Sequence, residues 1–201
     1  LTGGDVDGMA ALDEAEALTQ NAEDDDFERE LAQINLQKGN FRFATGEIDL
    51  CMAHHQKSLA HAERAGDAEL QARALGGLGD AHYAHCRMRE SLDYFRRCLV
   101  VCEEHNFGRI MVAHRFVTGV TRRYLNETKE AMTDVRDAVE LCHRVGNPRA
   151  AMYALTIQGE LLTEGLNLTE AEPSLQEALV IADNFGNRRF RSYILMKQAR
   201  L

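Results

Sequence analysis

Residues 74–102 hold the densest group of side chains that could do chemistry, ALGGLGDAHYAHCRMRESLDYFRRCLVVC. Gly76, Gly77 and Gly79 have the composition of a phosphate-binding loop, which needs a strand before it and a helix N-terminus after it. Here the three glycines fall inside a predicted helix. We therefore interpret Gly79 as a packing residue. We expect Gly76 and Gly77 to let a ligand backbone come close, at a cost of about 1 kcal/mol each in helix stability.

Histidines and cysteines in the same stretch have spacings that can bind zinc. His82 and Cys86 are four residues apart, as are Cys98 and Cys102, so each pair would lie on one helix face. The alternative is that these are core and turn residues. We favour it because Cys98 falls in a recurring position for small residues, described below. We predict no metal ligands; a metal or small-ligand sensor built on His82, Cys86 and Cys102 is an alternative hypothesis.

No arrangement of a nucleophile and a base stands out in the sequence. Cys51, Cys98 and Cys102 lie in predicted helix interiors, where apolar surroundings keep a thiol protonated and unreactive. His54 and His55 are adjacent, so their side chains face different directions. We predict no catalytic residue, no cofactor and no enzyme activity.

The composition is that of a soluble globular protein, with 45% hydrophobic and 27% charged residues in 201. No run of about 18 apolar residues occurs, so we expect no membrane span. The five cysteines are an odd number without a CxxC pair, which favours a reducing cytoplasm over a disulfide framework. The first ten residues, LTGGDVDGMA, lack an initiator Met and a signal-peptide pattern. We expect the chain to be a fragment of a larger protein.

Charge is unevenly spread along the chain. Residues 1–30 hold 11 acidic residues and one Arg, whereas the remainder holds 21 acidic and 22 basic residues. Residues 184–201 carry five basic residues and no acidic one. This balance is not that of a general nucleic-acid binder, and we predict neither a nucleic-acid nor a membrane partner. The acidic start and basic end of two copies could meet head to tail, so self-association into a homo-oligomer is an alternative function.

The acidic stretch AEDDDFERE at 22–30 is open to two interpretations. It could bind a cation or a basic partner. We favour a solvated turn in which Asp24, Asp25 or Asp26 caps the next helix, whose N-terminus also favours the carboxylates that follow.

The sequence repeats every forty residues. When the sequence is written in lines of forty residues, one column holds four glycines, two columns hold only small residues, and another holds only Leu or Val. The glycines are Gly39, Gly79, Gly119 and Gly159; the small residues are Cys51, Ser91, Ala131 and Ala171, and Ser58, Cys98, Ala138 and Ala178; the aliphatic residues are Leu59, Leu99, Val139 and Leu179. A period of this length is typical of solenoid repeats.

Each repeat divides into two helices. One break falls at a column of residues that tolerate the left-handed conformation of a helix C-terminus. These residues are Gly66, Asn106, Gly146 and Gly186. Asp67, Asn147 and Asn187 follow directly and are good N-caps, and Pro148 suits a first helical position.

A second break is predicted near residues 45–47, 85–88, 125–128 and 165–168. After the last of these, TEAE at 169–172 has the pattern of a capping box. Pro173 would then lie near the first helical turn, where proline costs least.

The pattern resembles the tetratricopeptide repeat family. In that family helix A carries a small residue at position 8, and helix B carries small residues at positions 20 and 27 with a large apolar residue at 24. Leu75, Leu78 and Gly79 match positions 4, 7 and 8; positions 20, 24 and 27 are matched by Ser91, Phe95 and Cys98, by Ala131, Val135 and Ala138, and by Ala171, Leu175 and Ala178. The chain departs from the family in lacking the usual aromatic at position 4, Tyr at position 11 and Pro at position 32.

The resemblance implies an all-α fold, a right-handed α-solenoid of antiparallel helix pairs. We predict ten helices, roughly at 8–22, 27–44, 47–64, 67–84, 88–104, 108–124, 128–144, 148–164, 169–184 and 187–200. They would form one domain, 1–201, made of a half repeat 1–24, repeats 25–66, 67–106, 107–146 and 147–186, and a terminal helix 187–201. The first would be a lone helix B and the last a lone helix A.

The resemblance also implies a function, because in this family the A helices line a groove that commonly holds a peptide or a partner helix. Positions 2, 5, 9, 12 and 13 of helix A would point into it. In this chain they include Gln33, Leu36, Asn40, Phe43, Arg73, Asp80, Tyr83, Phe116, Arg123, Tyr124, Tyr153, Glu160 and Glu164. We predict a protein-interaction scaffold or regulatory module with a protein or peptide partner.

Two further points bear on the partner. The family's carboxylate clamp needs Lys and Asn at set positions; Asn40 fits one of them, but the basic partners are missing or displaced, so we do not expect binding of a chaperone's acidic tail. Residues 67–110 resemble the C-terminal repeats of bacterial adenylate or guanylate cyclases that also carry an ATPase module. That resemblance implies a signalling context.

Overall fold

The computed structural model describes residues 3–20 and 26–201, and all regular structure in these residues is helical. The helices are α1 (Gly3–Gln20), α2 (Phe27–Ala44), α3 (Ile48–Ala65), α4 (Ala68–Ala84), α5 (Met88–His105), α6 (Gly108–Tyr124), α7 (Thr128–Arg144), α8 (Pro148–Glu164), α9 (Leu168–Asn184) and α10 (Arg188–Gln198). The predicted all-α fold of about ten helices is confirmed. The largest difference in bounds is at α1, which begins five residues earlier than predicted.

Neighbouring helices form antiparallel pairs joined by tight turns. Helix α2 packs against α3, α4 against α5, and α8 against α9, and α3 with α4 and α7 with α8 link consecutive pairs. The even-numbered helices are the A helices of the repeats and the odd-numbered ones are the B helices.

The chain divides into two compact units, Leu1–Ile110 and Met111–Leu201. The core of the first unit includes a cluster of Ala32, Leu36, Ala62 and Leu70. The larger cluster of the second unit is built around Met152, Leu155, Leu175 and Ile194. The assignment of residues 1–201 to one domain stays a prediction.

Both kinds of turn contain a residue in the left-handed conformation at every repeat. After helix B these residues are Gly66, Asn106, Gly146 and Gly186, with φ between 60° and 66°. After helix A they are Gly46, Cys86, Asn126 and Leu166, with φ between 57° and 80°. The amide that follows each of them donates to a carbonyl of the preceding helix, as in Asp67 N to Ala62 O at 3.0 Å. These bonds close the helix C-termini in the Schellman manner.

The predicted N-caps on the A helices are confirmed. Asp67, Asn147 and Asn187 each accept a hydrogen bond from the backbone N–H three residues on, at 3.0–3.1 Å. The capping box at 169–172 is wrong, because Asn167 occupies the N-cap of α9 and makes no side-chain capping bond. Pro173 consequently lies inside α9, beyond its first turn.

The two helices of a repeat approach most closely at the glycine column. The side chain that fills the space beside each glycine belongs to helix B and lies sixteen residues later. These pairs are Gly39 with His55, Gly79 with Phe95, Gly119 with Val135 and Gly159 with Leu175. A Cβ atom on any of these glycines would come within about 2.8 Å of its partner, which is closer than van der Waals contact allows. The glycines therefore sit at matching helix contacts, as the repeat requires.

The first two helices contact each other through polar groups. Lys38 is 2% exposed and donates to Asp13 at 2.5 Å and Glu16 at 2.7 Å, and Asn35 donates to Glu16 at 3.2 Å. In the next repeat Leu75 and Leu78 stand at the positions of Asn35 and Lys38. Hydrogen bonds from Lys38 lower the pKa values of Asp13 and Glu16.

Within the described ranges, no helix has both the length and the apolar character that crossing a membrane requires.

Candidate functional site

The predicted groove positions lie on the A helices of each unit. In the first unit Gln33, Asn40, Phe43 and Arg73 are exposed, and Asp80 and Tyr83 are half-buried. Leu36 differs, because it is 3% exposed and packs in the core cluster with Ala32 and Leu70. We therefore remove it from the candidate surface.

One end of the first unit's A helices forms an open polar pocket of about 490 Å³. Its lining residues are Asp26, Arg29, Glu30, Gln33, Asp67, Glu69, Leu70 and Arg73. Arg29 donates to Asp67 at 2.9 Å and Arg73 donates to Glu69 at 2.7 Å. Its two arginines are thus both paired, so the pocket presents no uncompensated positive charge.

Aromatic rings form a continuous row across the three A helices of the second unit. Phe116 on α6 stacks on Tyr153 of α8 with ring centroids 6.2 Å apart. Tyr153 meets Phe190 of α10 edge to face at 4.5 Å, and Phe190 lies 5.6 Å from Tyr193. Tyr153, Phe190 and Tyr193 also line an open pocket of about 330 Å³ together with Asn187 and Arg189. Rings arranged in this way fix one another and offer apolar area at little cost in side-chain entropy.

A charge network adjoins the aromatic row. Glu160 on α8 is 8% exposed and accepts hydrogen bonds from Tyr193 Oη at 2.8 Å and Arg123 Nη1 at 3.1 Å. Lys197 Nζ lies 3.0 Å from the Glu160 carboxylate and 4.6 Å from the centre of the Tyr193 ring. Arg123 also pairs with Glu164 through two hydrogen bonds. A carboxylate this buried is stable only with such partners.

The network shifts the pKa values of its members. Burial and the hydrogen bond to Glu160 raise the pKa of Tyr193. Burial acts to lower the pKa of Lys197, but its hydrogen bonds to Glu160 and Tyr193 outweigh this and raise it. Burial also acts to lower the pKa of Arg123, but its interactions with Glu164 and Glu160 outweigh this and raise it. The cations therefore remain charged at neutral pH.

The structure brings together five of the six groove residues predicted in the second unit. Phe116, Arg123, Tyr153, Glu160 and Glu164 join the row and the network, whereas Tyr124 is 62% exposed at the end of α6. We call the surface formed by these five residues with Phe190, Tyr193 and Lys197 the aromatic A face.

Phe190, Tyr193 and Lys197 are the residues that the sequence reasoning missed. Tyr193 lies forty residues after Tyr153, so extending the same column into the last helix would have found it. Phe190 and Lys197 do not occupy one of the five groove positions, and no signal in the sequence identifies them.

The chemistry-like residues of 74–102 have structural roles. Gly76, Gly77 and Gly79 lie within α4, so they form no loop. His82, near the end of α4, is buried and stacks on Tyr94 with ring centroids 5.1 Å apart. Cys86 lies in the following turn and is exposed.

The sensor hypothesis needs His82 and Cys102 at one place, and the helix pairing separates them. Gly79 of α4 contacts Phe95 of α5. Because the helices are antiparallel, Cys102 lies nearly two turns beyond Phe95 in the direction away from His82. The two residues are therefore separated by roughly 15 Å along the helix axes. No group of three or more His, Cys, Asp and Glu side chains in the described part of the chain is placed to hold a metal ion.

The three cysteine thiols that were predicted to lie in helix interiors are buried there. Cys51, Cys98 and Cys102 are fully buried. Burial raises the pKa of Cys51 to about 11, and a hydrogen bond with Cys102 together with burial raises that of Cys98. The thiols of Cys51 and Cys98 are therefore protonated at neutral pH and are poor nucleophiles.

Of the acidic stretch 22–30, Asp24 and Asp25 lie outside the described residues. Asp26 occupies the N-cap of α2 without a side-chain capping bond. Glu28 and Glu30 lie in the first turn of that helix, where its dipole favours them.

Comparison with known proteins supports the repeat assignment. Residues 30–104 match the family model of the tetratricopeptide repeat. Comparison with curated protein sequences finds no significant match.

The fold is shared with several solved structures. The apo form of RapI is 15% identical, with a TM-score of 0.86 over 96% of this chain and 69% of RapI. The Rap conjugation gene regulator of plasmid pLS20, solved with the Phr* peptide, is 12% identical, with a TM-score of 0.76 over 95% of this chain and 52% of the regulator. YrrB, a tetratricopeptide protein with an unusual peptide-binding site, is 21% identical, with a TM-score of 0.56 over 90% of this chain and 88% of YrrB.

At these identities the likeness establishes the fold, which is of the tetratricopeptide type, and the predicted resemblance is confirmed. The chain spans about two thirds of RapI and half of the Rap regulator. The resemblance of residues 67–110 to cyclase repeats stays a prediction.

Proposed function

We propose that the protein is a non-catalytic interaction module that binds a peptide or a partner helix along the A helices, with the aromatic A face as its main contact surface. The observation that carries the proposal is the unbroken row of rings from Phe116 to Tyr193 on three successive A helices. Aromatic side chains held in place beside paired charges are typical of the residues that dominate binding energy at interfaces. Repeats of this type generally act as scaffolds.

Two structural neighbours support a peptide as the partner. The pLS20 Rap regulator was solved in complex with the Phr* peptide, and YrrB has an unusual peptide-binding site. We extend this from those proteins to the present chain on the strength of its aromatic A face. A signalling context and a cytoplasmic location belong to the same proposal; the latter rests on the five cysteines, which are all free thiols.

The test is selection of binders from a displayed library of random 12-residue peptides, followed by calorimetry with enriched sequences. The double substitution Tyr153→Ala and Tyr193→Ala should weaken binding at least tenfold, about 1.4 kcal/mol. Phe185→Ala is the matched control, because Phe185 is 53% exposed and follows the B helix α9. Equal affinity of the double variant and the control, or a library without binders, would contradict the proposal.

Tyr83→Ala and Tyr124→Ala test the two units separately. Tyr83 belongs to the first unit and Tyr124 to the second. Loss of affinity on Tyr83→Ala would show ligand contacts on the first unit, and loss on Tyr124→Ala would show them on the second. If only the second unit binds, Tyr83→Ala should have no effect.

A second candidate function is head-to-tail self-association, which charge favours. Helix α1 contains five acidic residues and no basic one, and α10 contains four basic residues and no acidic one. Each also exposes an apolar side chain, Leu18 at 68% and Met196 at 62%. We propose that α1 of one copy docks on α10 of another. Sedimentation should show a concentration-dependent oligomer at low salt that dissociates at high salt; a monomer under both conditions contradicts the idea.

A further inference from the structure

Asp80 is an acid without a compensating charge in the described part of the chain. It lies on α4, at a groove position of the first unit, and is half-buried. Its carboxylate makes no hydrogen bond or ion pair with any residue that the structure describes, and burial raises its pKa to about 7. Carboxylates in such surroundings normally have a cation or several donors as partners.

The same chain shows how a carboxylate at this position is satisfied when partners are present. Glu160 lies eighty residues after Asp80, at the equivalent place two repeats on. It is bound by Arg123, Lys197 and the hydroxyl of Tyr193. Glu160 thus has its cations inside the protein, whereas Asp80 has none among the residues at 3–20 and 26–201.

The groups near Asp80 on the A helices suit a cation. Tyr83 follows within the next turn. On the adjacent A helix α2, Asn40 and Phe43 hold the equivalent positions and are exposed. A carboxylate, an amide and two aromatic rings are the groups that bind guanidinium and ammonium ions.

We propose that Asp80, with Asn40, Phe43 and Tyr83, forms a subsite of the first unit for a cationic side chain of a peptide bound there. Arginine is the preferred occupant, because its planar guanidinium can pair with a carboxylate and stack on a ring at the same time. This inference rests on the proposed peptide-binding function and specifies the chemistry of one ligand position.

The subsite should make binding depend on pH. The titratable groups that interact with Asp80 from the neighbouring helices are the thiols of Cys51 on α3 and Cys98 on α5. Burial raises the pKa of Cys51 to about 11, and a hydrogen bond with Cys102 together with burial raises that of Cys98, so both stay neutral between pH 5 and 8. Asp80 alone among these three changes charge in that interval. Because a bound cation needs the ionised acid, affinity should fall by up to about tenfold per pH unit below 7.

The experiment compares library selections on the wild-type protein and on the Asp80→Asn variant. Wild type should enrich peptides with arginine at a fixed position, and Asp80→Asn should lose that preference. For one enriched peptide, arginine and its neutral isostere citrulline are then measured against both proteins. We expect the exchange to cost wild type at least tenfold in affinity and the variant less than threefold. Asp93→Asn, an exposed aspartate on α5, is the control and should behave as wild type.

The outcomes separate the two proposals. If peptides bind but the citrulline exchange costs wild type and Asp80→Asn equally, the subsite is overturned and the peptide-binding function stands. A pH-independent affinity of the arginine peptide between pH 5 and 8 also overturns the subsite. If no peptide is enriched by either protein, both proposals fail. Circular dichroism of each variant checks that the fold is intact.

Discussion

At the scale of single residues, a Cβ atom on Gly79 would overlap the ring of Phe95, which is fully buried on the facing helix. The same relation recurs at Gly159, where the Cβ would come within 2.5 Å of Leu175. Glycine normally weakens a helix interior by about 1 kcal/mol relative to alanine. Here that cost is offset by the close packing it allows.

Gly79→Ala should therefore lower stability although it raises helix propensity. Overpacking costs about 1–3 kcal/mol, against a gain of up to about 1 kcal/mol in propensity, so we expect a net loss of about 1–2 kcal/mol in the free energy of unfolding. Gly8→Ala is the control, since no atom lies within 4 Å of its added Cβ; it should be neutral or stabilising. Urea unfolding measures both. A stability gain for Gly79→Ala would remove the packing argument.

Asp80 makes the second prediction at this scale. Its pKa is about 7 in the folded protein against an ordinary value of 3.8 for an aspartate. A group whose pKa is higher in the folded than in the unfolded state binds more protons in the folded state. The stability of the protein therefore falls as pH rises from about 4 to 7. The free energy of unfolding of Asp80→Asn should therefore equal that of wild type near pH 4 and exceed it by roughly 2–4 kcal/mol at pH 8. Urea unfolding at the two pH values measures the difference. A difference that is constant with pH would show that Asp80 is not the titrating group.

Individual residues differ in how far the sequence predicts them. The glycine column identified Gly79 and its partners because the same contact repeats four times. Leu36 was misplaced because a position that faces the groove in one repeat is covered by neighbouring helices in another. The missing partner of Asp80 could not be seen in the sequence at all, since it depends on which cations reach it in space.

At the scale of the elements, the turns show how one backbone conformation can be kept with different residues. The turn after helix A has a left-handed residue in every repeat, which is glycine at Gly46 but leucine at Leu166, with φ of 58°. Leu166 is also 85% exposed, so its side chain gains little from burial. A non-glycine residue costs about 1–2 kcal/mol in this conformation.

Leu166→Gly should therefore stabilise the protein by about 1 kcal/mol, because the relief of backbone strain outweighs the stability lost to the greater entropy of the unfolded chain. Gly46→Leu is the reciprocal change and should destabilise by a similar amount. Thermal unfolding monitored by circular dichroism compares the two with wild type. Shifts of the same sign in both variants would mean that the turn conformation does not set their stability.

Helix bounds were largely predictable because caps and turn residues punctuate each repeat. Asp67, Asn147 and Asn187 fixed the starts of three A helices, and their side chains make the expected bonds. Helix α9 was misjudged at its start, since a capping-box pattern next to Pro173 competes with Asn167, the residue that actually occupies the N-cap. Pattern alone could not decide between two adjacent candidate caps.

At the scale of the whole molecule, the forty-residue period predicted the fold, and residues 30–104 match the tetratricopeptide repeat. The repeat predicted the candidate site only in part. The columns gave Phe116, Tyr153 and Glu160, whereas the contribution of α10 came from contacts that no single repeat contains. A surface made from several helices is predictable only where every helix follows the same register. Helix α10 contributes Phe190 and Lys197 from outside the repeated groove positions.

The most direct test of the aromatic A face is an amide NMR titration of the ¹⁵N-labelled protein with a peptide selected from the library. We predict that the largest shift changes fall on the A helices and include α6, α8 and α10 around Tyr153 and Tyr193. Changes concentrated on the B helices α7 and α9, with α8 and α10 unaffected, would contradict the assignment of this surface.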